Sequence, residues 1–254
     1  MSQSSVSPLT AVIPAAGRGT RLGVLTEELP KPLLRIDGRR MIEVVLEQAE
    51  RAGVERFVII TGYKAEAWES WRGDLPASLR TRVSFFQNEN WEKFGNGYSV
   101  LVAKKSVPER FLLLMSDHLF AVETLADLIE AGPPADECRL LCDFSPPPFL
   151  DIGDATKVHA SPDGRIHAMG KDLEDFNAVD TGLFYSSSVL FDALRVCCRR
   201  GRTALTDANR FLAEQNKMKA VRKNPDRGWW CDIDTVRDLE NAVRLFDPIE
   251  KRAD

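Results

Sequence analysis

The stretch AVIPAAGRGTRLGVLTEELPKPLL, residues 11–34, decides how the rest of the chain is read. It begins as an apolar run suited to a buried strand over 10–14. It turns through Gly17, Gly19 and Gly23 and arrives at Lys31-Pro32. A strand that feeds a glycine-rich loop gathers bare backbone N–H groups at one point, and Arg21 and Lys31 add fixed positive charge there. The combination suits a polyphosphate. Glycines that merely turned the chain would leave the flanking cations without a purpose.

The same glycines fit GxGxxxG, a loose relative of the dinucleotide-binding fingerprint, so a NAD-dependent oxidoreductase is an alternative of another class. A dinucleotide fold places an acid at the end of its second strand, where it holds the ribose hydroxyls. Here the second strand, 57–61, ends in Thr61-Gly62-Tyr63. Arg21 and Lys31 would also have no role in that fold.

Working outward, strand-like runs at 10–14, 57–61, 83–87 and 110–115 alternate with helical spacings at 41–52, 98–105 and 122–131. This alternation predicts an α/β domain with a mostly parallel, mixed central sheet flanked by helices, a Rossmann-like layout. After Gly132 the pattern loosens. Strands at 156–160 and 165–169 around Pro162-Asp163-Gly164 predict a hairpin. Residues 179–185, 218–222 and 229–233 read as extended, and 188–199 and 204–215 as helical. A closing helix over 235–246 carries Leu239, Val243 and Phe246 on one face. Residues 1–9 read as a disordered lead-in and 10–247 as one domain.

The chain of 254 residues has a formal net charge of -4, which speaks against a nucleic-acid partner. No apolar run is long enough to span a membrane, and the N-terminus lacks the basic and apolar regions of a signal peptide. The five cysteines form no CxxC pair and read as reduced thiols of a cytoplasmic protein.

A second cluster of chemistry is acidic. Asp117 follows the apolar run 111–114, at the carboxyl end of a predicted parallel strand, where ligands bind in such folds. A carboxylate there is costly without a partner. Asp232 and Asp234 alternate in an extended segment and so share a side. Magnesium takes a few carboxylates together with phosphate oxygens, and Asp117 with Asp232, and with Asp234, would supply them if the segments converge. Asp234 reads equally as the cap of the helix that follows.

The order GxGTRL then PKPLL resembles the signature of sugar-1-phosphate nucleotidyltransferases. Further along, GNGYSVLVAKK (95–105), RFLLLMSDHLF (110–120), DIGDATKV (151–158), GKDLEDFNAVDTGLF (170–184) and WWCDIDT (229–235) together resemble CTP:inositol-1-phosphate cytidylyltransferases, from about residue 11 to 246. The resemblance implies a nucleotidyltransferase fold and Mg²⁺-dependent transfer of CMP from CTP to inositol 1-phosphate, giving CDP-inositol and pyrophosphate. It implies that Ala15, Ala16, Gly17 and Gly19 hold the phosphates through their backbones. Arg21 would neutralise the leaving pyrophosphate and Lys31 would contact the phosphoryl group under attack. Thr20 and Ser116 count with the nucleotide site. The base falls to Gly95 and Asn96, with Asn88 or Asn90 as the side chain that reads it. Lys171 would grip the acceptor phosphate, and Asp180, Thr181 and Gly182 would line the acceptor pocket. Asp117 and the later WxD acid match metal positions.

Residues 24–30 depart from the shorter loop of the inositol enzymes. Cytidylyltransferases for phosphocholine, 2-aminoethylphosphonate or a sugar 1-phosphate therefore stay open, as does an inactive nucleotide-binding domain. Some relatives are fused to a membrane phosphotransferase. None is expected in this chain, so its product would pass to a separate protein. The oligomeric state is not readable from the sequence.

Overall fold

The computed structural model describes residues 7–250, with side chains through 245. The apolar run of the quoted stretch becomes β1 (Thr10–Pro14), buried along its whole length. Two 3-10 segments (Thr20–Thr26 and Lys31–Leu33) and a two-residue ribbon, β2 (Arg35–Ile36) with β3 (Arg39–Arg40), lead into α1 (Met41–Arg51). Next come β4 (Arg56–Thr61), α2 (Ala65–Asp74), α3 (Ala77–Arg80), β5 (Val83–Gln87), α4 (Asn96–Val102) and β6 (Arg110–Leu114). They are followed by β7 (His118–Phe120), α5 (Val122–Glu130), β8 (Cys138–Asp143), β9 (Lys157–Ala160), β10 (Ile166–Gly170) and β11 (Ala178–Ser187). The chain closes with α6 (Val189–Arg199), α7 (Leu205–Glu214), β12 (Met218–Arg222), β13 (Trp230–Asp232) and α8 (Val236–Glu250).

The main sheet runs β10-β9-β11-β6-β1-β4-β5, with β8 joined to β11 and β12 joined to β8. Strands β6, β1, β4 and β5 are parallel to one another. Strand β11 enters antiparallel to β6 and carries both β8 and the predicted hairpin β9–β10. Alternation along each parallel strand divides the core in two. Ile13, Phe57, Ile59 and Leu112 face one helical layer, while Val12, Val58, Ile60 and Phe111 face the other. A parallel strand buried on both faces needs side chains without polar atoms at every position, hence the unbroken apolar runs.

Helix α2 and strand β8 are among the elements that the hydrophobic pattern leaves unmarked. Helix α2 buries Trp68 and Trp71, and Leu75 after it, which is helical spacing carried by only three residues. Strand β8 is a short buried run whose polar flanks hide it. At the inner end of the expected lead-in, the Leu9 carbonyl accepts the amides of Glu55 and Arg56. Residues 1–6 and the side chain of Phe246 lie outside the described residues.

The five cysteines are free thiols. Among the described residues no helix is long and apolar enough to cross a membrane. A small ribbon, β7 with β13, stands at the carboxyl ends of β1 and β6 and pairs Trp230 with Phe120, Cys231 with Leu119 and Asp232 with His118. That ribbon brings the last third of the chain to the glycine loop.

Candidate active site

Lys31 lies at the centre of the site. Gly19 adopts φ +75°, and a Cβ there would come within 2.7 Å of the Lys31 side chain, so only glycine lets the loop close over the lysine stem. The stem is buried. Its Nζ donates to Asp117 Oδ2 at 2.9 Å and to Asp234 Oδ1 at 2.7 Å. Burial disfavours the Lys31 charge, but Asp117, Asp234 and Asp232 outweigh it and hold its pKa well above the ordinary lysine value.

Asp117 leaves the end of β6, and its backbone carbonyl accepts the Ile233 amide at 3.0 Å. Burial pushes its carboxyl up, but Lys31 and His118 outweigh that and bring it down to about 2. Asp232 sits across the ribbon from His118. There burial, with Asp117 and Asp234 beside it, wins against His118 and Lys31 and raises the carboxyl to about 7. Two neighbouring carboxylates whose proton affinities are driven apart in this way mark a site poised for a positive charge.

The fit of that site to a divalent cation can be read from its unmet demands. Among the described residues, Asp117 Oδ1 and Asp232 Oδ1 are both buried without a hydrogen-bond partner. Together with a nitrogen of His118, one carboxylate oxygen from each lies within 4.8 Å of the others. Orphaned buried carboxylate oxygens are rare unless something cationic is meant to meet them. Two carboxylate oxygens beside an imidazole nitrogen are a donor set that a divalent cation can use.

Asp234 does not share in this. Its Oδ1 takes Lys31, and its Oδ2 pairs with Arg21 Nη2 at 2.6 Å. Both oxygens are paired with cations, and Asp234 does not cap the helix that follows. The cap of α8 is Thr235, whose amide donates to Asp238 Oδ2 at 2.7 Å while its Oγ1 accepts the Asp238 amide. Asp234 instead ties Arg21 to Lys31.

Two adjoining cavities meet over these groups. One, of about 270 Å³, is lined by the loop (Ala15, Gly17, Gly19, Thr20) with Lys31 and Ser116. The other, of about 220 Å³, lies towards Lys171, Asp180 and Trp230. Arg21, Asn96, Asp117 and Asp234 line both. Ser116 is held in place by its hydroxyl, which donates to the Pro14 carbonyl at 2.9 Å. Ala16 lines neither cavity, and its carbonyl accepts the Tyr63 amide. Asp154, which has no role in the sequence analysis, lines the second cavity and pairs with Arg21 and, at 2.5 Å, with Lys171 Nζ.

The expected acceptor residues are placed unequally. Asp180 lines the second cavity, and burial raises its carboxyl to about 6 despite the Gly182 amide and His118. Thr181 does not line it: the residue is fully buried and its hydroxyl donates to the Leu141 carbonyl. Gly182 lies beneath the His118 ring, where a Cβ would come within 2.3 Å of Nδ1.

The expected base-reading residues also divide. Asn96 lines both cavities, and its Oδ1 accepts the Leu205 amide at 2.9 Å. Gly95 is packed against Thr203 and Ala204. Asn88 is buried, donates to Ser99 Oγ and accepts the Asn90 amide, so its amide is used up inside an Asx turn. Asn90 is taken up as the other half of that turn. Neither Asn88 nor Asn90 lines the cavities.

Comparison with known proteins gives a family and a set of relatives. A family model described as the MobA-like NTP transferase domain matches residues 11–152. The bifunctional IPC transferase and DIPP synthase of Aquifex aeolicus is 33% identical over 243 residues, covering 93% of this chain and 51% of that protein. The protein of the same name from Archaeoglobus fulgidus is also 33% identical, over 94% of this chain and 44% of its own length. The chain thus spans about half the length of the curated relatives it matches. Among solved structures, the inositol-1-phosphate CTP transferase from T. maritima superposes with a TM-score of 0.80 at 22% identity, over 94% of this chain and 97% of that one. UDP-glucose pyrophosphorylase complexed with UDP-glucose gives 0.76 at 19% identity, over 95% and 99%. Both share the α/β nucleotidyltransferase-like fold.

Proposed function

The chain belongs to the MobA-like NTP transferase domain family, and on that premise we propose that it transfers CMP from CTP to inositol 1-phosphate, releasing pyrophosphate. The observation that carries the reading is the pair of cavities meeting at Asp117 and Arg21, one under a glycine loop and one holding an acceptor-side lysine. A reaction between two anions needs cations along the line of approach. Arg21 and Lys31 stand on the nucleotide side and Lys171 on the other. The sequence likeness to the two IPC transferases and the fold of the T. maritima enzyme favour CTP and inositol 1-phosphate among the possible pairs.

In this reading the loop backbone at Gly17 and Gly19, with Thr20 and Ser116, receives the triphosphate, while the Ala15 amide, expected to join them, is donated to the Ile60 carbonyl at 2.8 Å. Lys31 and Arg21 neutralise it, and Asp234 fixes the spacing of these two cations. Lys171 orients the acceptor phosphate. An oxygen of that phosphate forms a bond to the α-phosphorus as the bond from the α-phosphorus to the bridging oxygen breaks, and pyrophosphate departs with the electron pair. The attacking group is already a dianion near neutral pH, so no side chain has to remove a proton. Asp117 and Asp232 would hold Mg²⁺, which when bound draws charge from the phosphate oxygens. Positioning and charge neutralisation supply the acceleration. Free thiols throughout accord with a reducing compartment, and we place the reaction in the cytoplasm.

Pyrophosphate release from CTP and UTP, each with inositol 1-phosphate, phosphocholine, 2-aminoethylphosphonate or glucose 1-phosphate, tests the proposal. The expected outcome is fastest release with CTP and inositol 1-phosphate, and only with a divalent ion present. A preference for any other pair reassigns the substrate, and no release from CTP with any acceptor refutes the activity.

A further inference from the structure

His118 has no part in the mechanism above, yet it is held as firmly as any group in the site. Its Nδ1 lies 2.8 Å from the Thr181 carbonyl. A carbonyl can only accept, so Nδ1 carries the hydrogen. The ring stacks on Trp230 with centroids 6.2 Å apart and planes 11° from parallel. Its other side rests over Gly182, where φ is +75° and no Cβ could be accommodated. Three separate elements, β7, β11 and β13, therefore fix one ring in one orientation.

The orientation has a target. Nε2 lies 3.5 Å from Asp232 Oδ1 and 3.9 Å from Asp117 Oδ1, the same two oxygens that are buried without partners. A divalent ion bound at about 2.1 Å in octahedral geometry separates neighbouring ligands by roughly 3 Å and opposite ligands by roughly 4.2 Å. The two spacings from Nε2 fall between those limits and the whole set lies within 4.8 Å, so an ion among the three groups needs only small movements. A histidine whose Nδ1–H is donated to a backbone carbonyl, leaving Nε2 free, is also the usual arrangement of a metal-ligating imidazole.

We propose that His118 Nε2 is a direct ligand, making the cation site of this protein a mixed nitrogen and oxygen site, Asp117–His118–Asp232, rather than a purely carboxylate one. The proposal rests on the reading of the site as that of a divalent ion. It deepens that reading by naming the third protein ligand and the class of ion. A nitrogen donor favours Mn²⁺, Co²⁺ or Zn²⁺ over Mg²⁺, because imidazole suits the first-row transition ions whereas Mg²⁺ is served best by oxygen. Gly182 and the Thr181 carbonyl then act as positioning groups for the ring, which accounts for the Thr-Gly pair that does not reach the acceptor cavity.

The test is pulsed electron paramagnetic resonance on the full chain labelled with ¹⁵N-histidine, with Mn²⁺ as the probe and no nucleotide present. The expected signature is a ¹⁵N coupling to Mn²⁺ in the wild type that disappears in His118→Asn and His118→Ala. Mn²⁺ affinity by calorimetry should fall at least tenfold in both variants, and Mg²⁺ affinity should fall less. Circular dichroism of the variants establishes that they are folded. A variant of His159, which lines neither cavity and pairs with Asp175, should keep the coupling. Mn²⁺ bound without a ¹⁵N coupling, or a coupling that survives in folded His118→Ala, overturns the proposal. Either result leaves CTP-dependent pyrophosphate release to be judged separately, so failure of the ligand assignment and failure of the transferase reading are told apart.

Discussion

Replacing Lys31 by methionine keeps the stem that packs on Gly19 and removes only the charge. The cost can be worked out from what Lys31 touches. Its Nζ is the larger of the two cationic influences, with His118 the other, that lower Asp117 from the ordinary 3.8 to about 2, and a shift of that size is worth about 2 kcal/mol of folding stability. Counting the raised lysine as well would count the same attraction twice. Asp234 loses one of its two cations but keeps Arg21, which adds a smaller loss. The expected destabilisation at pH 7 is about 3 kcal/mol, at the lower edge of what breaking a buried ion pair costs. For a domain of this size that lowers the melting temperature by roughly 6 to 12 °C.

The pH dependence carries a definite sign. A depressed carboxyl contributes its stability above its unfolded value and loses it as the pH falls towards its folded value. The gap between wild type and variant should therefore be full at pH 7 and shrink steadily below pH 4. Divalent ions should narrow the gap as well, since they supply charge to the same carboxylates. Urea titrations at pH 7 and pH 3.5, with and without Mg²⁺, check all three points. A loss under 1 kcal/mol at pH 7, or one that does not shrink in acid, would refute the picture of Lys31 as the counter-charge that makes this site foldable.

Other consequences can be measured at the bench. Asp234→Asn should leave Mn²⁺ affinity within about threefold of wild type while slowing turnover about tenfold, because it releases Arg21 and Lys31 without touching the ion; a large drop in metal affinity would return Asp234 to the ligand set. Metal affinity should weaken as the pH falls from 8 to 6, since the cation must displace the proton that Asp232 holds with a value of about 7, and a pH-independent titration would contradict the raised carboxyl. Asp154→Asn should change stability by less than about 1 kcal/mol, as expected for an exposed pair, yet strengthen inhibition by inorganic phosphate several-fold by freeing Arg21 and Lys171; unchanged inhibition would show that Asp154 does not compete for those cations.

The backbone of this fold is largely legible in the chain, because strands and helices follow from spacing within a few residues. The runs at 10–14, 57–61, 83–87 and 110–115 surface as β1, β4, β5 and β6 with ends shifted by a residue at most. The hairpin around Gly164 follows from its turn residues alone. Side-chain partnerships are another matter, because they depend on residues far along the chain. Asp234 lies 203 positions from Lys31, and no local pattern distinguishes an acid that pairs with cations from one that binds metal. Asn88 carries the amide expected of a base reader, but a hydroxyl at Ser99 and an amide at Asn90 claim it first. His118 stands next to Asp117, in plain view, and what gives it significance is Thr181, brought alongside by β11. Asp154 lies in a stretch chosen for its resemblance, and only the fold reveals that two cations converge on it.

The ribbon of β7 with β13 has a consequence for timing. A chain made from its N-terminus completes the glycine loop, β1, β4 and β6 long before Asp232 leaves the ribosome. Until that residue arrives, Asp117 and Lys31 have neither Asp232 nor Asp234 to complete their charge arrangement. A chain that has not yet reached Asp232 thus has the glycine loop without its second carboxylate, and the charge arrangement closes only when β13 pairs with β7.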